Sequence, residues 1–292
     1  MSVDFKRDKS GPIAYLGSPW TPKDAEAIRR SGVRRIDISL REHDMPFVRD
    51  LEAIEEVQIV ALGVKSDGVV AALPDLRVLG LQNYCDDPID FASFKQLERL
   101  AFNWRPKGET AFDAVTLKSL AISYYQDLDL TPLSRLARLE GLRIENSRRL
   151  RTLDGVAALG ALKVLSLRDD QRLADIGDLA QMDHSLDELE LNLSHKVNDI
   201  SAIRRHHDLR RLSLIDCGHI PSLAPLSDLA HLEEFYFYGT THIADGDMTP
   251  LLGMPSLRKI AFASRRHYSH SVADIERLRH LKETPWLPHW RW

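Results

Sequence analysis

Apolar residues recur along this chain with two alternating periods. The first is the string apolar-x-x-apolar-x-apolar. It reads Leu76-Arg-Val-Leu79-Gly-Leu81, Leu97-Glu-Arg-Leu100-Ala-Phe102, Leu117-Lys-Ser-Leu120-Ala-Ile122 and Leu139-Glu-Gly-Leu142-Arg-Ile144. It continues with Leu162-Lys-Val-Leu165-Ser-Leu167, Leu186-Asp-Glu-Leu189-Glu-Leu191 and Leu209-Arg-Arg-Leu212-Ser-Leu214. Leu232-Glu-Glu-Phe235-Tyr-Phe237 and Leu257-Arg-Lys-Ile260-Ala-Phe262 follow, and two weaker copies begin at Val33 and Ile54. Alternation at the end of each string predicts a short strand with one buried face. The second period is three: after Leu139 come Leu150, Leu153, Val156 and Leu159, and after Leu162 come Leu173, Ile176, Leu179 and Met182. Residues three apart share a face in a 3₁₀ turn, so this half predicts a loose helical return.

Eleven starts between 33 and 257 give a mean spacing of about 22 residues. A strand reached again through a crossover runs parallel to its predecessor, and stacked units of this kind make a solenoid. On these strings the chain resembles the leucine-rich repeat family, most closely the internalin/SDS22-like class. The resemblance covers about 33–264. It implies an α/β fold: a curved, right-handed solenoid with a parallel sheet on the concave face and 3₁₀ returns on the convex face. The family often places Asn in the turn after the strand. Here that column reads Tyr84, Arg105, Tyr125, Ser147, Asp170, Ser194, Cys217, Thr240 and Arg265. Small polar residues dominate only from Ser147 to Thr240, so regular turns are expected there. Irregular ones are expected through repeats three and four, where Pro88, Pro106 and Gly108 fall.

The ends of a solenoid need covers. Thr21-Pro22-Lys-Asp24 reads as a helix N-terminus and Gly32 as its stop, which places a helix over 22–31 within a cap spanning 1–32. Ser271-Val-Ala-Asp274 resembles a capping box and opens a helix to about Lys282 in a second cap over 265–292. The tail holds Trp286, Trp290 and Trp292. It either folds back on the last repeat or docks a partner. The whole is expected to be one structural domain.

Columns across repeats carry the remaining information, because equivalent side chains in adjacent strands stand about 4.8 Å apart. Counting the first apolar residue of each string as position one, positions three, five and seven face away from the core. Position two alternates in sign from Arg34, Glu55 and Arg77 through to Glu233 and Arg258. That suits a surface ion-pair ladder rather than a docking strip, since alternation cancels the field. Position five holds Gly80, Ala101 and Ala121, a shallow trough beside Tyr84, Trp104, Tyr124 and Tyr125, with Asn83 and Asn103 close by. Tyr and Trp next to small residues match interface anchors. Alternatively these rings pack on the turns. Further along, the same face carries Arg143, Glu145, Arg168, Asp169, Glu188 and Glu190, then Tyr236 and Tyr238. Mixed charge flanked by aromatics suits a specific protein partner. A third column in the turns is basic: Arg148, Arg149, Arg172, His195, Lys196, His219, His242, Arg265, Arg266 and His267.

Composition narrows the picture only slightly. The chain has 292 residues, 43 of them leucine, and a net charge of −4. No apolar run approaches the roughly 18 residues of a membrane span. The opening Met1-Ser-Val-Asp-Phe-Lys-Arg lacks a secretory apolar stretch, and only Cys85 and Cys217 could pair, so a cytoplasmic location is expected. His206-His207 and His267-x-x-His270 stand apart from any strong ligand pattern, and solvated side chains are expected at His206 and His207. No nucleophile elbow, phosphate loop or dinucleotide fingerprint occurs, and Cys217 falls where a packing role suffices. No catalytic residue, metal or cofactor is assigned. The expectation is a non-enzymatic module that binds a partner protein, with an inhibitor or immunity-type role as its narrower form. The alternative is an acidic or phosphate-bearing partner, nucleic acid included, on the basic turn column.

Overall fold

Each of the eleven apolar strings carries a strand, and the reason is the same in every copy. Two inward side chains alternate with outward ones, so an extended backbone buries one face while its N–H and C=O groups pair with the neighbouring copies. The protein is described by a computed structural model over residues 3–8, 11–16, 21–39, 49, 51, 53–60, 66–73 and 75–280. These residues group into two compact units, 1–123 with 135–139, and 124–134 with 140–292.

The first unit contains β1 (Val3–Asp8), β2 (Gly11–Leu16), α1 (Pro22–Ser31), β3 (Arg35–Ile38), β4 (Glu56–Ile59), β5 (Val78–Leu81), β6 (Arg99–Asn103) and β7 (Ser119–Ser123). The strands lie in chain order; β1 and β2 are antiparallel and the rest are parallel. The register puts Leu79, Leu100 and Leu120 side by side in the core, and Gly80, Ala101 and Ala121 side by side on the other face. The β1–β2 hairpin is an addition to the expected cap. Its signal is the alternation of Val3 and Phe5 ahead of Ser10-Gly11, a turn pair. The helix α1 falls at the expected residues. The Asp24 carboxylate accepts the Thr21 N–H at 2.8 Å and its hydroxyl at 2.7 Å. Gly32 closes the helix in the left-handed region at φ 66°.

The second unit contains β8 (Gly141–Glu145), β9 (Val164–Arg168), β10 (Glu188–Asn192), β11 (Arg211–Ile215), β12 (His219–Ile220), β13 (Glu234–Tyr238), β14 (His242–Ile243), α2 (Pro250–Gly253), β15 (Lys259–Phe262) and α3 (Val272–Arg279). The pairs β8–β9, β9–β10, β10–β11, β11–β13 and β13–β15 are parallel, and β12 pairs with β14 separately. The returns are 3₁₀ turns at Val156–Ala158, Gly177–Gln181, Ser201–Arg205 and Ala224–Leu226. Their inward residues Val156, Leu179, Ile203 and Leu226 are fully buried, as are Leu150, Leu153 and Leu159. Each such leucine contributes about 1.5–3 kcal/mol of burial, so the core is a repeated layer of small equal terms. Helix α3 starts with the expected capping box, Asp274 N–H to Ser271 Oγ at 3.2 Å and Ser271 N–H to Asp274 Oδ2 at 3.0 Å. It stops at Arg279, earlier than the expected Lys282, because His280 turns left-handed at φ 56°. The Trp-rich tail lies outside the described residues.

The corners after the strands follow the expected division. In the second unit Tyr124, Asn146, Asp169, Leu193 and Asp216 all take positive φ, and Gly239 continues the series. Gly239 is needed there, since a Cβ would lie 2.1 Å from Asp216 Oδ1. The next side chain in each corner is buried: Tyr125, Ser147, Asp170, Ser194 and Cys217. After Gly239 the place is taken one residue later, by Thr241. Ser147 and Thr241 hydrogen-bond backbone buried in the corners. Ser147 Oγ accepts from Leu150 N at 3.0 Å and donates to Tyr125 O at 3.0 Å. Thr241 Oγ1 accepts from Cys217 N at 2.8 Å and donates to Leu214 O at 2.9 Å.

The first unit replaces that column with a charged clamp. Arg105 and Asp67 are both fully buried. Arg105 Nη1 donates to both Asp67 oxygens, at 2.9 and 2.7 Å, and Nη2 donates to Asn83 Oδ1 at 3.0 Å. Asn83 Nδ2 donates to Asp67 Oδ2 at 2.9 Å. Removing one member of a buried pair strands the other charge, at a cost of about 3–5 kcal/mol. Arg105→Met is therefore expected to lower the urea midpoint strongly. Restoring neutrality with Arg105→Met plus Asp67→Asn should recover much of the loss, as read by urea titration of both variants.

Candidate partner-binding surface

In the first unit the open face of β5–β7 is floored by Gly80, Ala101 and Ala121. The trough is shallower than the sequence suggests, because Gln58 lies across Gly80, where a Cβ would meet Gln58 Oε1 at 1.8 Å. At the strand edge Tyr84 is 68% exposed. Trp104 is half-buried, its ring 6.3 Å from Phe102 and 6.0 Å from Phe112, with Gly108 closing against it. It packs on its own turn. Asn83 is buried in the Arg105 clamp, while Asn103 stays half-buried and donates to Asn83 O at 2.9 Å.

Tyr124 and Tyr125 belong to the second unit and have opposite fates. Tyr124 is 40% exposed at its positive-φ corner. Tyr125 is fully buried, which corrects its placement among strand-edge anchors. It fills the corner column, its hydroxyl donates to Asp129 O at 2.8 Å, and burial pushes the phenol far up.

The remaining candidates lie on the second unit, and most of the charged ones are paired. Glu190 is only 1% exposed, so it is a buried charge rather than one facing a partner directly. Arg168 grips it through Nε at 2.9 Å and Nη2 at 2.8 Å, and the buried Ser166 hydroxyl donates to it at 2.6 Å. Arg143 pairs with Glu145 at 3.2 Å. Burial and then the charge of Arg168 lower the Arg143 guanidinium to about 10. A second chain of contacts crosses position three: Glu188 to Arg211 at 2.7 Å, Arg211 to Glu234 at 3.2 Å, and Lys259 to Glu234 at 2.8 Å. The half-buried Tyr236 donates to Glu234 at 3.1 Å. Burial alone would raise the Glu234 carboxyl, but Lys259 and Arg211 outweigh it and hold it low. Tyr238 is half-buried on β13, and Asp169 is half-buried at its corner, accepting from Gln171 at 2.8 Å. The ladder at position two also forms, with Arg34–Glu55, Arg77–Glu98 at 2.6 Å and Arg210–Glu233 at 3.4 Å.

The basic turn column is exposed at Arg148, Arg149, Arg172, His195, Lys196, His219, Arg265, Arg266 and His267, with His242 half-buried. The rings of His219 and His242 meet across β12–β14 with centroids 3.9 Å apart, tilted by 58°. His206 departs from expectation: it is buried, and its Nδ1 accepts from Leu186 N at 3.0 Å. Burial lowers it to about 4, so it is a neutral core acceptor and not a solvated side chain. Cys217 is a packing residue whose thiol burial pushes up to about 12. Asp67, Cys85 and Asp87 bring ligand-type atoms within 4.8 Å of one another. Arg105 already supplies the countercharge to Asp67, and Asp87 Oδ2 accepts from Ser66 Oγ and from the N–H groups of Asp67 and Gly68. The arrangement works as a corner clamp.

Neither a protein-family model nor a curated protein matches the chain. Solved structures do. A leucine-rich-repeat protein from Leptospira interrogans superposes with TM-score 0.59 at 13% identity, covering 91% of this chain and 68% of that one. The chain has a leucine-rich-repeat fold. Two internalins from Listeria monocytogenes are also similar. One has TM-score 0.48 and 17% identity over 83% of each chain. The other, internalin C2, has TM-score 0.47 and 20% identity over 73% of this chain and 83% of that one. Among the described residues no helix is long and apolar enough to cross a membrane.

Within the leucine-rich-repeat corners, Asp170 is the titrating member. It accepts Ser147 N–H at 2.8 Å, and burial pushes its carboxyl from 3.8 to about 8. The folded state then keeps a proton that the unfolded chain releases across that window, so stability falls as pH rises from about 4 to 8. Asp170→Asn should flatten this dependence and raise the urea midpoint relative to the parent at pH 9. Parallel midpoint–pH curves for the two proteins would contradict it.

Proposed function

We propose that the protein is a non-enzymatic binding module that recognises another protein through the open face of its sheet and the exposed tyrosines at the strand edge. The observation that carries this reading is the fixed ion-pair lattice on the second unit, from Arg143 to Lys259. Charges locked by neighbours cost little further entropy on binding and offer a partner a defined polar pattern. Tyr124 supplies aromatic area on the same unit, and Tyr84 supplies it on the strand edge of the first unit. Arg168 and Glu190 act as one unit in this reading: Glu190 is the buried support and Arg168 the presented head.

A second reading is favoured by the turn column. Arg148, Arg149, Arg172, Lys196 and Arg266 are exposed and take part in no salt bridge among the described residues. Unlike the lattice, this column projects an uncancelled field toward an acidic partner. Such binding would weaken steeply with added salt, whereas binding to the lattice and tyrosines would weaken little.

The experiment is cross-linking of the full chain in its native host, identification of the cross-linked protein by mass spectrometry, and calorimetric titration of that protein. Tyr84→Ala should weaken binding at least about tenfold without moving the thermal midpoint, and Tyr124→Ala should weaken it by a similar factor. Trp104→Ala should instead lower the midpoint, because its ring packs on Phe102 and Phe112. Unchanged affinity in both tyrosine variants would remove the edge from the site. Loss of binding between about 50 and 200 mM salt would move the site to the basic column.

A further inference from the structure

The antiparallel hairpin leaves β1 at the end of the sheet order, and among the described residues no strand pairs with its outer side. Such an edge presents unpaired N–H and C=O groups and is a template for another strand. In β1 only Val3 is buried; Asp4, Phe5, Lys6, Arg7 and Asp8 are exposed, and Phe5 is 38% exposed. Val3, Phe5 and Arg7 lie opposite Leu16, Ala14 and Pro12 of β2, and Asp4 and Lys6 lie opposite Tyr15 and Ile13. The two sets therefore point to opposite faces of the sheet.

Two copies joined edge to edge about a two-fold axis normal to the sheet would form one continuous antiparallel sheet. Both copies keep the same face up, so residues can stand opposite each other only when they share a face. One such register puts Phe5 opposite Phe5 of the second copy. It then puts Asp4 opposite Lys6 of the second copy, and Lys6 opposite its Asp4. The sequence Asp4-Phe5-Lys6 complements itself in that register, with an aromatic pair on the axis and two opposite-charge pairs beside it. Shifting the axis to Lys6 would place Lys6 against Lys6 and Asp4 against Asp8, which repels at both places. Within one copy Lys6 already approaches Asp4 at 3.6 Å and lies over Tyr15 at 4.9 Å, so its ammonium sits on the required face.

We propose that β1 is a self-association edge, pairing antiparallel with β1 of a second copy and centred on Phe5. The register pairs five residues a side, Val3 to Arg7, well below the area of a standard stable interface, so the dimer is weak and concentration-dependent. The contact is isologous, as two-fold symmetry requires.

The test is sedimentation equilibrium of the full chain over a concentration series reaching about 100 µM, the range in which contacts of small area assemble. The parent should show reversible monomer–dimer exchange. Lys6→Asp alone sets acids against acids, and Asp4→Lys alone sets bases against bases; each should weaken dimerisation at least about tenfold. An equimolar mixture of the two variants places opposite charges opposite each other again and should recover the parent level as a heterodimer. Both sites are exposed, and circular dichroism checks that each variant is folded; if one is not, the charge rescue is read from the double variant Asp4→Lys/Lys6→Asp against the parent. A parent that stays monomeric throughout overturns the proposal. So does a dimer indifferent to the single charge changes, or one that the mixture fails to restore.

Discussion

In the described repeats the chain turns within the stack, and buried amides of those turns cannot reach water. That constraint shapes each corner. In several corners of the second unit a positive-φ residue is followed by a buried side chain that hydrogen-bonds the corner backbone, and Ser147 does this for Leu150 N; after Gly239, Thr241 does it for Cys217 N. An unsatisfied buried amide costs about 1–3 kcal/mol, and a stack repeats the penalty at every turn. The leucine layers can therefore form only where the corners are satisfied. The first unit meets the same demand with a different device, a guanidinium, a carboxylate and an amide locked together by Arg105, Asp67 and Asn83.

The open face follows a related rule. Position five in the second unit holds Ser166, Glu190 and Ser213, all nearly inaccessible although they point away from the leucine core. Arg168, at position seven, reaches Glu190. A buried carboxylate is tolerated there because Arg168 and Ser166 occupy its oxygens. The face is thus charged and rigid together. On β5–β7 the same position is Gly80, Ala101 or Ala121, which bring no charge of their own, and Gln58 lies across Gly80. One fold presents two chemistries along its sheet, and the difference comes from one column of residues.

Much of this was legible in the residue order. The strings starting at Val33 and Ile54 were weak, yet both carry strands, because two inward apolar residues are enough when neighbours on both sides fix the register. The Thr21 and Ser271 helix starts were readable because capping is a local hydrogen bond over three residues. Tyr124 and Tyr125 were not separable: adjacent aromatics look alike until one corner turns left-handed and sends only the second inward. His206 reads as half of a loop His-His pair, and only the stack brings Leu186 N–H to its Nδ1.

Residue order alone sets the repeat, its strands and returns, the identity of the core layers and the two helix starts. All are set by contacts within one turn or one pleat, where periods of two and three act directly. Only the tertiary structure decided which polar residues are buried and with whom. Arg105 and Asp67 are 38 residues apart, and Arg168 and Glu190 are 22 apart. Such partners meet through the stacking register, which places side chains from different repeats within one hydrogen bond, and no local period encodes that meeting.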